Sequence, residues 1–483
     1  MTAIDADAAN RLAREIAGSV VGPGDDAYDQ ARRVFNGMID RRPRLIARCV
    51  NEADVATAIA FARDHALAVA VRGGGHNVAG NAVVDGGLVI NLTRMRRVEV
   101  DSARRRARVQ GGACWGDLDA ATQAHGLATP GGIVSSTGVA GLTLGGGIGV
   151  LRGLHGLTCD NLAGAELVTA SGDFVAASPD ENADLLWGLR GGGGNFGVVT
   201  TFEFALHPLS GVVSGPLDYR YSREFLGFYD EFVDTIPDEF SCDLVLRRSQ
   251  EGEPLATLLT CYCGEAGSAV RVYDLLRTRF SPLRDEAAPR SYVDAQRLYD
   301  QISPWGWRNY WKTNAMGGLG HSAITAVDEI FAAAASPLSQ VQLEHLHGAL
   351  HRSAPGSSAL NFAGAKYNLL VNAKWTDPAR DGDNVRWARD GFARMQPHLS
   401  GGAYPNYLFQ ETRERVRQAY GDETYDRLVA LKDRYDPANF FRLNQNNCAR
   451  VRSDNPAVVG SSALRTVKSS LAWFSKTRAL ALT

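Results

Sequence analysis

The stretch VRGGGHNVAG, residues 71–80, carries no side chain at three consecutive positions before a histidine and an amide. Glycine lets a backbone approach a ligand closely and adopt positive φ without steric cost. The apolar run AVAVR (68–72) predicts a strand that ends at these glycines. Taken alone, His76 fits a surface residue, a hydrogen-bonding loop residue or a reactive imidazole, and the loop by itself leaves these alternatives open.

Further glycine-rich loops follow within the first 200 residues: VQGGACWG (109–116), TPGGIVSSTG (129–138), GLTLGGGIG (141–149) and RGGGGNFG (190–197). Backbone N–H groups exposed in several such loops can converge on a pyrophosphate. Together the loops therefore predict a large anionic cofactor. Arg72 suits a role in balancing its charge, although an exposed arginine at the end of a strand is the plainer alternative.

The sequence supports neither of the two common nucleotide-binding units. GLTLGGGIGVLRGLHGL (141–157) follows no strand of the dinucleotide-binding type, and no acidic residue stands at the distance that such a unit requires. The pattern Gly-x-x-x-x-Gly-Lys-Ser/Thr does not occur. These observations argue against a Rossmann site and exclude a P-loop.

Composition points to a globular protein with a small-molecule partner. The 483 residues favour two domains, and Lys plus Arg total 51 against 53 for Asp plus Glu, which gives no reason to expect nucleic acid or an anionic membrane. The start shows no secretory pattern, and no stretch reaches ~18 uninterrupted apolar residues. Seven scattered cysteines suit reduced thiols, and the lone C-x-C at Cys261 and Cys263 lacks the second pair of a zinc site. We therefore expect a cytoplasmic protein without a metal.

Local patterns predict an α+β arrangement for the first 200 residues. Asn51 is placed to cap a helix in NEADVATAIAFARDHAL, the segments LVINL, RVEVD and RARVQ predict strands, and AELVTASGDFVAAS predicts a hairpin. After about residue 210 glycines become rarer and aromatic residues commoner, which indicates a second domain with a sheet covered by helices. Near the C-terminus, Leu428, Leu431 and Tyr435 share one face of a predicted helix that Pro437 stops.

In their order along the chain, RGGGHN (72–77), GLTLGGGIG (141–149), GLTCDNL (156–162), LLWGLRGGGGNFGVVT (185–200) and YDPANFFRLNQN (435–446) resemble the FAD-linked oxidases of the berberine bridge enzyme type. These belong to the vanillyl-alcohol-oxidase or PCMH-like flavoprotein superfamily. The resemblance covers roughly residues 40–447. It is strongest to bacterial members, which include an oxidase of hydroxylated nicotine and an oxygenase of polyketide biosynthesis.

The resemblance implies an α+β fold with a two-part FAD-binding domain of the PCMH type. Its first part would be residues 1–209, with a core from about 40, and its second part a berberine-type segment at 401–447. Between them, residues 210–400 would form an inserted substrate domain built on an antiparallel sheet covered by helices. Residues 448–483 are expected to be a peripheral tail.

The resemblance also implies the cofactor, FAD, and an 8α-histidyl bond from His76 to the flavin. The residues that it places around FAD are Arg72, Gly73, Gly74, Gly75, His76, Asn77, Gly80, Val134, Ser136, Thr137, Gly138, Gly141, Gly146, Gly147, Asn161, Val199, Asn444 and Asn446. Many relatives have a second bond from a cysteine, but the matching position here is Val134, which cannot form it. Cys114 lies on a different loop and is predicted to be a structural thiol, so we expect a single covalent attachment.

For the catalytic base, GGAYPNYLFQE (401–411) resembles a strand of the family with the pattern Tyr-x-Asn-Tyr. This makes Tyr407 the candidate base and Tyr404 its neighbour. Because residues three apart face opposite sides of a regular strand, at most one should face the flavin. The glutamate base of berberine-type enzymes falls at Asn368, and an amide cannot abstract a proton.

Other candidate residues complete the predicted site. Glu344, in VQLEHLHGAL, resembles a substrate-site glutamate of the oxygenase, with a solvent-facing strand residue as an equal alternative. Thr137, with Leu142 nearby, matches the position beside the flavin where oxygen reacts in that relative. His155 stands where relatives have a different residue, and it suits either a pocket residue or a plain loop histidine.

The resemblance predicts an oxidase that takes a hydride from an alcohol, an amine or an activated C–H, passes it to FAD and then to O2, and releases H2O2. A flavin-dependent oxygenase acting on a polyketide-like substrate and a dehydrogenase that uses another acceptor are alternatives within the class. A protein that binds a nucleotide without redox chemistry is the alternative outside it. The partners would be a small-molecule substrate, in secondary metabolism, and O2; the sequence does not identify the substrate.

Overall fold

A four-stranded, a five-stranded and an eight-stranded sheet carry the fold of the computed structural model, which describes residues 6–448 except 355, 361, 363 and 410. In chain order the strands are β1 (Ser19–Val21), β2 (Leu45–Arg48), β3 (Val69–Arg72), β4 (Leu88–Asn91), β5 (Val98–Asp101), β6 (Arg106–Gln110), β7 (Leu127–Ala128), β8 (Leu162–Val168), β9 (Phe174–Ala177), β10 (Val198–Ala205), β11 (His207–Pro208), β12 (Val212–Arg220), β13 (Phe240–Arg248), β14 (Pro254–Tyr262), β15 (Arg284–Asp285), β16 (Ala288–Arg290), β17 (Arg308–Met316), β18 (Gln340–His345) and β19 (Tyr367–Trp375).

The α-helices are α1 (Ala6–Glu15), α2 (Tyr28–Arg32), α3 (Glu52–Asp64), α4 (Trp115–Gln123), α5 (Val139–Leu144), α6 (Arg152–His155), α7 (Ala183–Leu189), α8 (Arg223–Val233), α9 (Ala266–Arg279), α10 (Tyr292–Arg297), α11 (His321–Ala332), α12 (Ala349–Arg352), α13 (Asp381–Met395), α14 (Arg413–Tyr420) and α15 (Asp422–Tyr435). Short 3₁₀ turns lie at Cys159–Asn161, Asp300–Ile302, Pro378–Arg380, Gln396–His398 and Pro405–Tyr407. In the described chain no helix is both long and apolar enough to cross a membrane.

The four-stranded sheet has the order β1-β2-β4-β3, and β2 and β3 each run parallel to β4. Helix α3 connects β2 to β3, and its start is fixed by Asn51, whose side-chain oxygen accepts from the Asp54 N–H at 2.8 Å. An N-cap of this kind satisfies a donor that the helix leaves unpaired. The predicted helix and strands are confirmed here, and β3 ends at the first glycine loop.

The five-stranded sheet has the order β5-β6-β10-β8-β9 and is antiparallel throughout. The strands predicted from RVEVD and RARVQ are β5 and β6, and the predicted hairpin is β8 with β9. The loop between α7 and β10 is the glycine run 191–194. This sheet therefore delivers a second group of glycine loops to one side of the fold.

The eight-stranded sheet has the order β15-β12-β14-β13-β18-β19-β17, with β16 also paired to β12, and all its pairs are antiparallel. Successive residues of a strand face opposite sides. On β19, Tyr367, Leu369 and Val371 join the apolar core that α8, α11 and α13 build over one face. The opposite face carries polar side chains. The fold is thus α+β, with an antiparallel sheet covered by helices, as predicted.

The C-terminal helices bring the chain back to the glycine loops. Leu428 and Leu431 of α15 are buried, as the pattern predicted, and Lys432 is fully buried between them and the loops. Its Nζ donates to Asp436 at 2.5 Å and to the backbone oxygens of Asn195 and Phe441 at 2.7 and 2.8 Å. This buried ion pair fixes the terminal segment against residues 191–197. The predicted tail, 448–483, lies outside the described residues except for Cys448.

Candidate active site

A cleft with an empty volume of about 1720 Å³, part of it open to solvent, lies between the glycine loops and the polar face of the eight-stranded sheet. Its walls come from the loop after β3, the loops on either side of α5, the loop before β10, strands β17, β18 and β19, and residues 404–407 and 444–445. A pocket for one small ligand typically has ~300–1,000 Å³. The space therefore suits a large ligand together with a smaller one.

Two glycines meet backbone to backbone at the floor of the cleft. A Cβ on Gly74 would lie 2.4 Å from the backbone nitrogen of Gly138, and a Cβ on Gly138 would lie 2.3 Å from that of Gly74. No side chain fits at either position, since backbone atoms cannot move aside as the end of a flexible side chain can. The first glycine loop needs its glycines for this approach and for the positive φ of Gly75, 75°.

The backbone of the first loop is arranged to receive an anion. In the part of the chain that the structure describes, no protein group accepts a hydrogen bond from the N–H groups of residues 73–77. Consecutive unpaired N–H groups in a turn with a positive-φ residue form a concave site for phosphate. The cradle therefore fits the pyrophosphate of a dinucleotide cofactor.

His76 lies at the end of this loop on the cleft wall. Its ring stacks on Phe35, with centroids 4.0 Å apart, and meets the edge of Trp305 at 6.1 Å. Burial lowers the pKa of the imidazole to about 4, so the ring is neutral at physiological pH. Its Nε2 is buried and has no hydrogen-bond partner. A neutral imidazole nitrogen without a partner, held rigidly against an aromatic ring, is suited to bond to a ligand in the cleft.

Most residues predicted to contact FAD do line the cleft: Gly73, Gly74, Gly75, His76, Asn77, Val134, Thr137, Gly138, Gly141, Val199 and Asn444. Others do not: Arg72, Gly80, Ser136, Gly146, Gly147, Asn161 and Asn446. Arg72 lies beneath the loop, where its Nη1 donates to the carbonyl of Ala31 at 2.7 Å. Gly147 has φ +90°, and a Cβ there would lie 2.1 Å from Thr158 Oγ1. These residues shape the loops that line the cleft.

Asn161 and His155 belong to a different part of the surface. The Asn161 amide donates to the carbonyls of His155 and Leu157 at 2.8 and 2.9 Å, and its oxygen lies 2.7 Å from Nε2 of His207. His155 stacks on His207, with centroids 3.7 Å apart. The structure therefore brings neither residue to the cleft, and of the two alternatives for His155 it favours the loop histidine.

Two further positions, Val134 and Cys114, bear on a second covalent bond. Val134 lines the cleft, while Cys114 does not. Cys114 precedes α4, its N–H donates to Asp117 at 2.8 Å, and burial raises the pKa of its thiol. A half-buried, protonated thiol is a poor nucleophile. The cleft thus offers an alkyl group at the position that the resemblance assigns to a second cysteine.

The predicted strand at 401–411 is wrong. Residues 405–407 form a 3₁₀ turn, in which the Tyr407 N–H donates to the Tyr404 carbonyl at 3.0 Å. Pro405 at the start of the turn lacks an N–H and has a fixed φ, both of which suit a turn and not a central strand. Because of this turn Tyr404 and Tyr407 do not face opposite sides. Their rings pack edge to face, 4.7 Å apart, and both line the cleft.

The two tyrosines differ in what their hydroxyls do. The Tyr404 hydroxyl accepts from the N–H groups of Gly147 and Ile148, at 3.1 and 3.2 Å, and from the Asn406 amide at 2.9 Å. Three donors on one oxygen make it a structural acceptor that holds the glycine turn. The Tyr407 hydroxyl instead donates to Glu344 Oε1 at 2.6 Å.

Glu344 is buried, so the solvent-facing alternative is wrong. Its Oε2 accepts from the Asn368 amide at 2.7 Å, and Asn368 in turn accepts from Thr313 Oγ1 at 2.8 Å. Burial, reinforced by the nearby charge of Asp243, raises the pKa of Glu344 to about 7. Burial also holds the pKa of Tyr407 well above its usual 10. At neutral pH the phenol is therefore protonated, and Glu344 is divided between its carboxylate and its acid form.

Behind Glu344 lies a buried ion pair. Arg152 pairs with Asp243, and it also donates to the backbone oxygens of His345 at 2.6 Å and Gly149 at 3.0 Å. Asp243 accepts from the His345 N–H at 2.9 Å. The pair fixes β13 and β18 against α6, and Asp243 is the neighbouring charge that raises the pKa of Glu344.

Sequence reasoning missed the polar residues that the eight-stranded sheet contributes to the cleft. They are Gln340, Gln342, Asn372 and Lys374, and the turn adds Asn406. A signal was present on β19, where polar residues alternate with apolar ones at 368, 372 and 374 in an otherwise apolar strand. In the described residues no group of three or more potential metal ligands occurs.

Known proteins with similar sequences bind FAD or are FAD-linked oxidoreductases. Residues 43–178 match the FAD binding domain family and residues 403–446 the berberine and berberine-like family. The chain is 33% identical to (R)-6-hydroxynicotine oxidase of Paenarthrobacter nicotinovorans over 89% of its length and 96% of that protein. It is 30% identical to an FAD-linked oxidoreductase of Dictyostelium discoideum over 90% of its length and 96% of that protein.

Solved structures agree. That of 6-hydroxy-D-nicotine oxidase from Arthrobacter nicotinovorans superposes with a TM-score of 0.84 at 31% identity, covering 90% of this chain and 98% of the other. A berberine-bridge-enzyme-like protein of Arabidopsis thaliana shares the fold, with a TM-score of 0.79 at 22% identity, over 89% and 98% of the two chains.

The fold and the cleft thus define a flavoprotein with a glycine-loop cradle and a facing antiparallel sheet. The chain belongs to the FAD-linked oxidoreductases of the berberine bridge enzyme family, and it is an enzyme whose cofactor is FAD.

Proposed function

We propose that the protein is an FAD-dependent oxidase that holds its flavin covalently through His76 alone and oxidises a small organic substrate with O2. The observation that carries this proposal is the buried, unpartnered Nε2 of His76 on the wall of the cleft, next to five unpaired backbone N–H groups. Val134 supports a single bond, because it offers no nucleophile at the second position. The similarity to 6-hydroxynicotine oxidase supports an alcohol, an amine or an activated C–H as the group oxidised.

When bound, FAD supplies a hydride acceptor that O2 can regenerate with release of H2O2. The chain itself must remove the proton that the substrate O–H or N–H loses. Tyr407 lines the cleft, whereas Glu344 lies behind it in hydrogen-bond contact. We assign these residues to one relay: the substrate proton passes to Tyr407 Oη as the phenol proton passes to Glu344 Oε1. Tyr407 ends neutral and Glu344 ends protonated, so Glu344 is the final base.

The remaining groups position this relay. Asn368 holds the second carboxylate oxygen, and Tyr404 fixes the Gly147 turn beside the Tyr407 ring. Thr137 lines the cleft on the side of the glycine loops, where the resemblance places the reaction with oxygen. In the described part of the chain, the six cysteines from Cys49 to Cys263 form no disulfide bond, which supports a reducing compartment and therefore a cytoplasmic enzyme.

The test combines attachment and product. After acid precipitation and denaturing electrophoresis, we expect flavin fluorescence on the wild-type band, its loss in His76→Ala and its retention in the control Cys114→Ser. With a panel of alcohols, amines and polyketides, we expect one H2O2 for each O2 consumed. Fluorescence that survives in His76→Ala contradicts the assigned bond. Consumption of O2 without peroxide would indicate the oxygenase alternative, and slow reoxidation in air the dehydrogenase.

A further inference from the structure

Lys374 is the unusual residue of the cleft. It lies on β19 with only 3% of its surface exposed, and it lines the cleft wall. Its Nζ donates to the backbone oxygen of Ile302 at 3.0 Å and to Gln340 Oε1 at 3.2 Å. Both acceptors are neutral, and among the described residues no carboxylate pairs with this ammonium.

A buried cation without a counter-charge is costly, because neutral hydrogen-bond acceptors replace only part of its hydration. The same burial lowers the pKa of Lys374 to about 8, so it remains largely protonated at neutral pH. An ammonium has three N–H donors, and the two protein acceptors leave one for a ligand. Replacement by an apolar residue would relieve the cost, so a cation at this place indicates a use for its charge.

The neighbouring side chains show that this end of the cleft is built for a polar group. Asn372 is 3% exposed, lines the cleft, and its Oδ1 has no hydrogen-bond partner. Across the sheet, Asn372 pairs in register with Gln340 on one side and with Trp311 on the other. An unpartnered buried amide beside a buried ammonium gives the wall both donors and an acceptor.

The position of Lys374 separates it from Glu344, the buried end of the proton relay. Glu344 is in register with Asn368, and Lys374 lies six residues further along β19. At ~3.3 Å per residue the two backbone positions are roughly 20 Å apart, although long side chains shorten the gap. Trp311, whose ring meets the Tyr407 ring at 5.2 Å, forms the wall between the two ends.

We propose that Lys374 binds an oxyanion of the substrate, a carboxylate or an ionised phenol, at the end of the molecule remote from the carbon that is oxidised. Asn372 accepts a hydrogen bond from a neighbouring O–H or N–H of the same molecule. The substrate is therefore an elongated organic acid with an apolar middle that packs on Trp311. This inference rests on the proposed function, since only an oxidase gives the substrate a carbon that is oxidised. The binding of an oxyanion at Lys374 does not depend on turnover.

The test is a fluorine NMR titration of the flavin-loaded enzyme with three probes of one size: pentafluorobenzoate, pentafluorophenol, which is ionised at neutral pH, and pentafluorobenzamide. We expect at least one of the two anions to bind about tenfold or more tightly than the neutral amide, as a charge-assisted hydrogen bond predicts. Stronger binding of the benzoate or of the phenolate identifies which oxyanion the subsite prefers.

Variants assign the preference to this side chain. We expect Lys374→Met and Lys374→Gln to lose it and Lys374→Arg to keep it. Lys312→Met is the matched control, since Lys312 lies on the adjacent β17 and pairs with Glu411 at 2.6 Å. It should keep the wild-type preference. Each protein's preference is a ratio of its own affinities for the three probes. A smaller folded fraction in one variant therefore does not change the result.

Equal affinity of the wild type for all three probes overturns the proposal, as does a preference that survives in Lys374→Met. A shift of the flavin reduction potential in Lys374→Met with unchanged probe affinities also overturns it, because Lys374 would then face the cofactor. Failure of the oxidase proposal is recognised separately, by absent peroxide or absent covalent flavin. Probe binding is measured whichever result those assays give.

Discussion

Tyr407 and Glu344 share a hydrogen bond of 2.6 Å, with the phenol as donor and a buried carboxylate as acceptor. The tyrosine contacts the cleft and the glutamate does not. A tyrosine alone cannot act as the base at neutral pH, because its ordinary pKa of ~10, which burial raises further, keeps the phenol protonated. Glu344, with a pKa of about 7, can accept the proton of the phenol.

Replacement of Glu344 should therefore slow the reduction of the flavin. Glu344→Gln keeps the size of the side chain and a hydrogen-bond acceptor for Tyr407 but removes the base. We expect flavin reduction by substrate to fall by about 10²–10⁴-fold, the usual contribution of a positioned acid or base. Stopped-flow absorbance measures this rate, and denaturing-gel fluorescence checks that the flavin remains attached. A rate within a few-fold of wild type would remove Glu344 from the relay.

The pH dependence of the same rate should follow the ionisation of Glu344. The carboxylate form accepts the proton, so the rate is expected to rise with pH and to reach half its maximum near pH 7. In Asp243→Asn a negative neighbour is lost, which lowers the pKa of Glu344 and should move the rise to lower pH. A shift in the opposite direction would contradict this electrostatic account. The profile of Glu344→Gln should lack the rise.

Tyr404 and Tyr407 should respond differently to loss of the hydroxyl. Tyr404→Phe leaves the N–H groups of Gly147 and Ile148 and the Asn406 amide without their acceptor. We expect a loss of about 1–3 kcal/mol in the free energy of unfolding, measured in urea. Tyr407→Phe should lose less stability but slow flavin reduction far more. The opposite pattern would exchange the roles of the two tyrosines.

The contact between Gly74 and Gly138 predicts a steric limit on the cofactor cradle. In Gly74→Ala the new methyl would lie 2.4 Å from a backbone nitrogen, so the two loops must separate. We expect a loss of about 1–3 kcal/mol in stability, typical of overpacking, and less flavin per chain, measured from the absorbance ratio of flavin to protein. Gly227→Ala, on α8 with open space around the new Cβ, is the control and should retain full flavin content. Normal flavin content in Gly74→Ala would show that the loops can move apart.

Much of the fold followed from local patterns. Asn51 predicted the start of α3, alternation predicted β5 and β6, and the apolar face of residues 428, 431 and 435 predicted α15. These features depend on interactions between residues close in the chain, which periodicity and capping describe. The error at 401–411 arose where family likeness was followed instead of the local effect of Pro405, which favours a turn.

The sequence alone indicated the kind of cofactor and made His76 the candidate for its anchor. The glycine loops could be recognised from the sequence, because only glycine lets a backbone approach an anionic ligand so closely. His76 stands at the end of the first of these loops. Tertiary structure decided the chemistry around them. Glu344 and Tyr407 are 63 residues apart, and Gly74 and Gly138 meet from loops of different sheets. Lys374 has no carboxylate partner among the described residues, because both of its hydrogen-bond acceptors are neutral. Partners, burial and pKa values depend on long-range packing, and only the folded chain sets them.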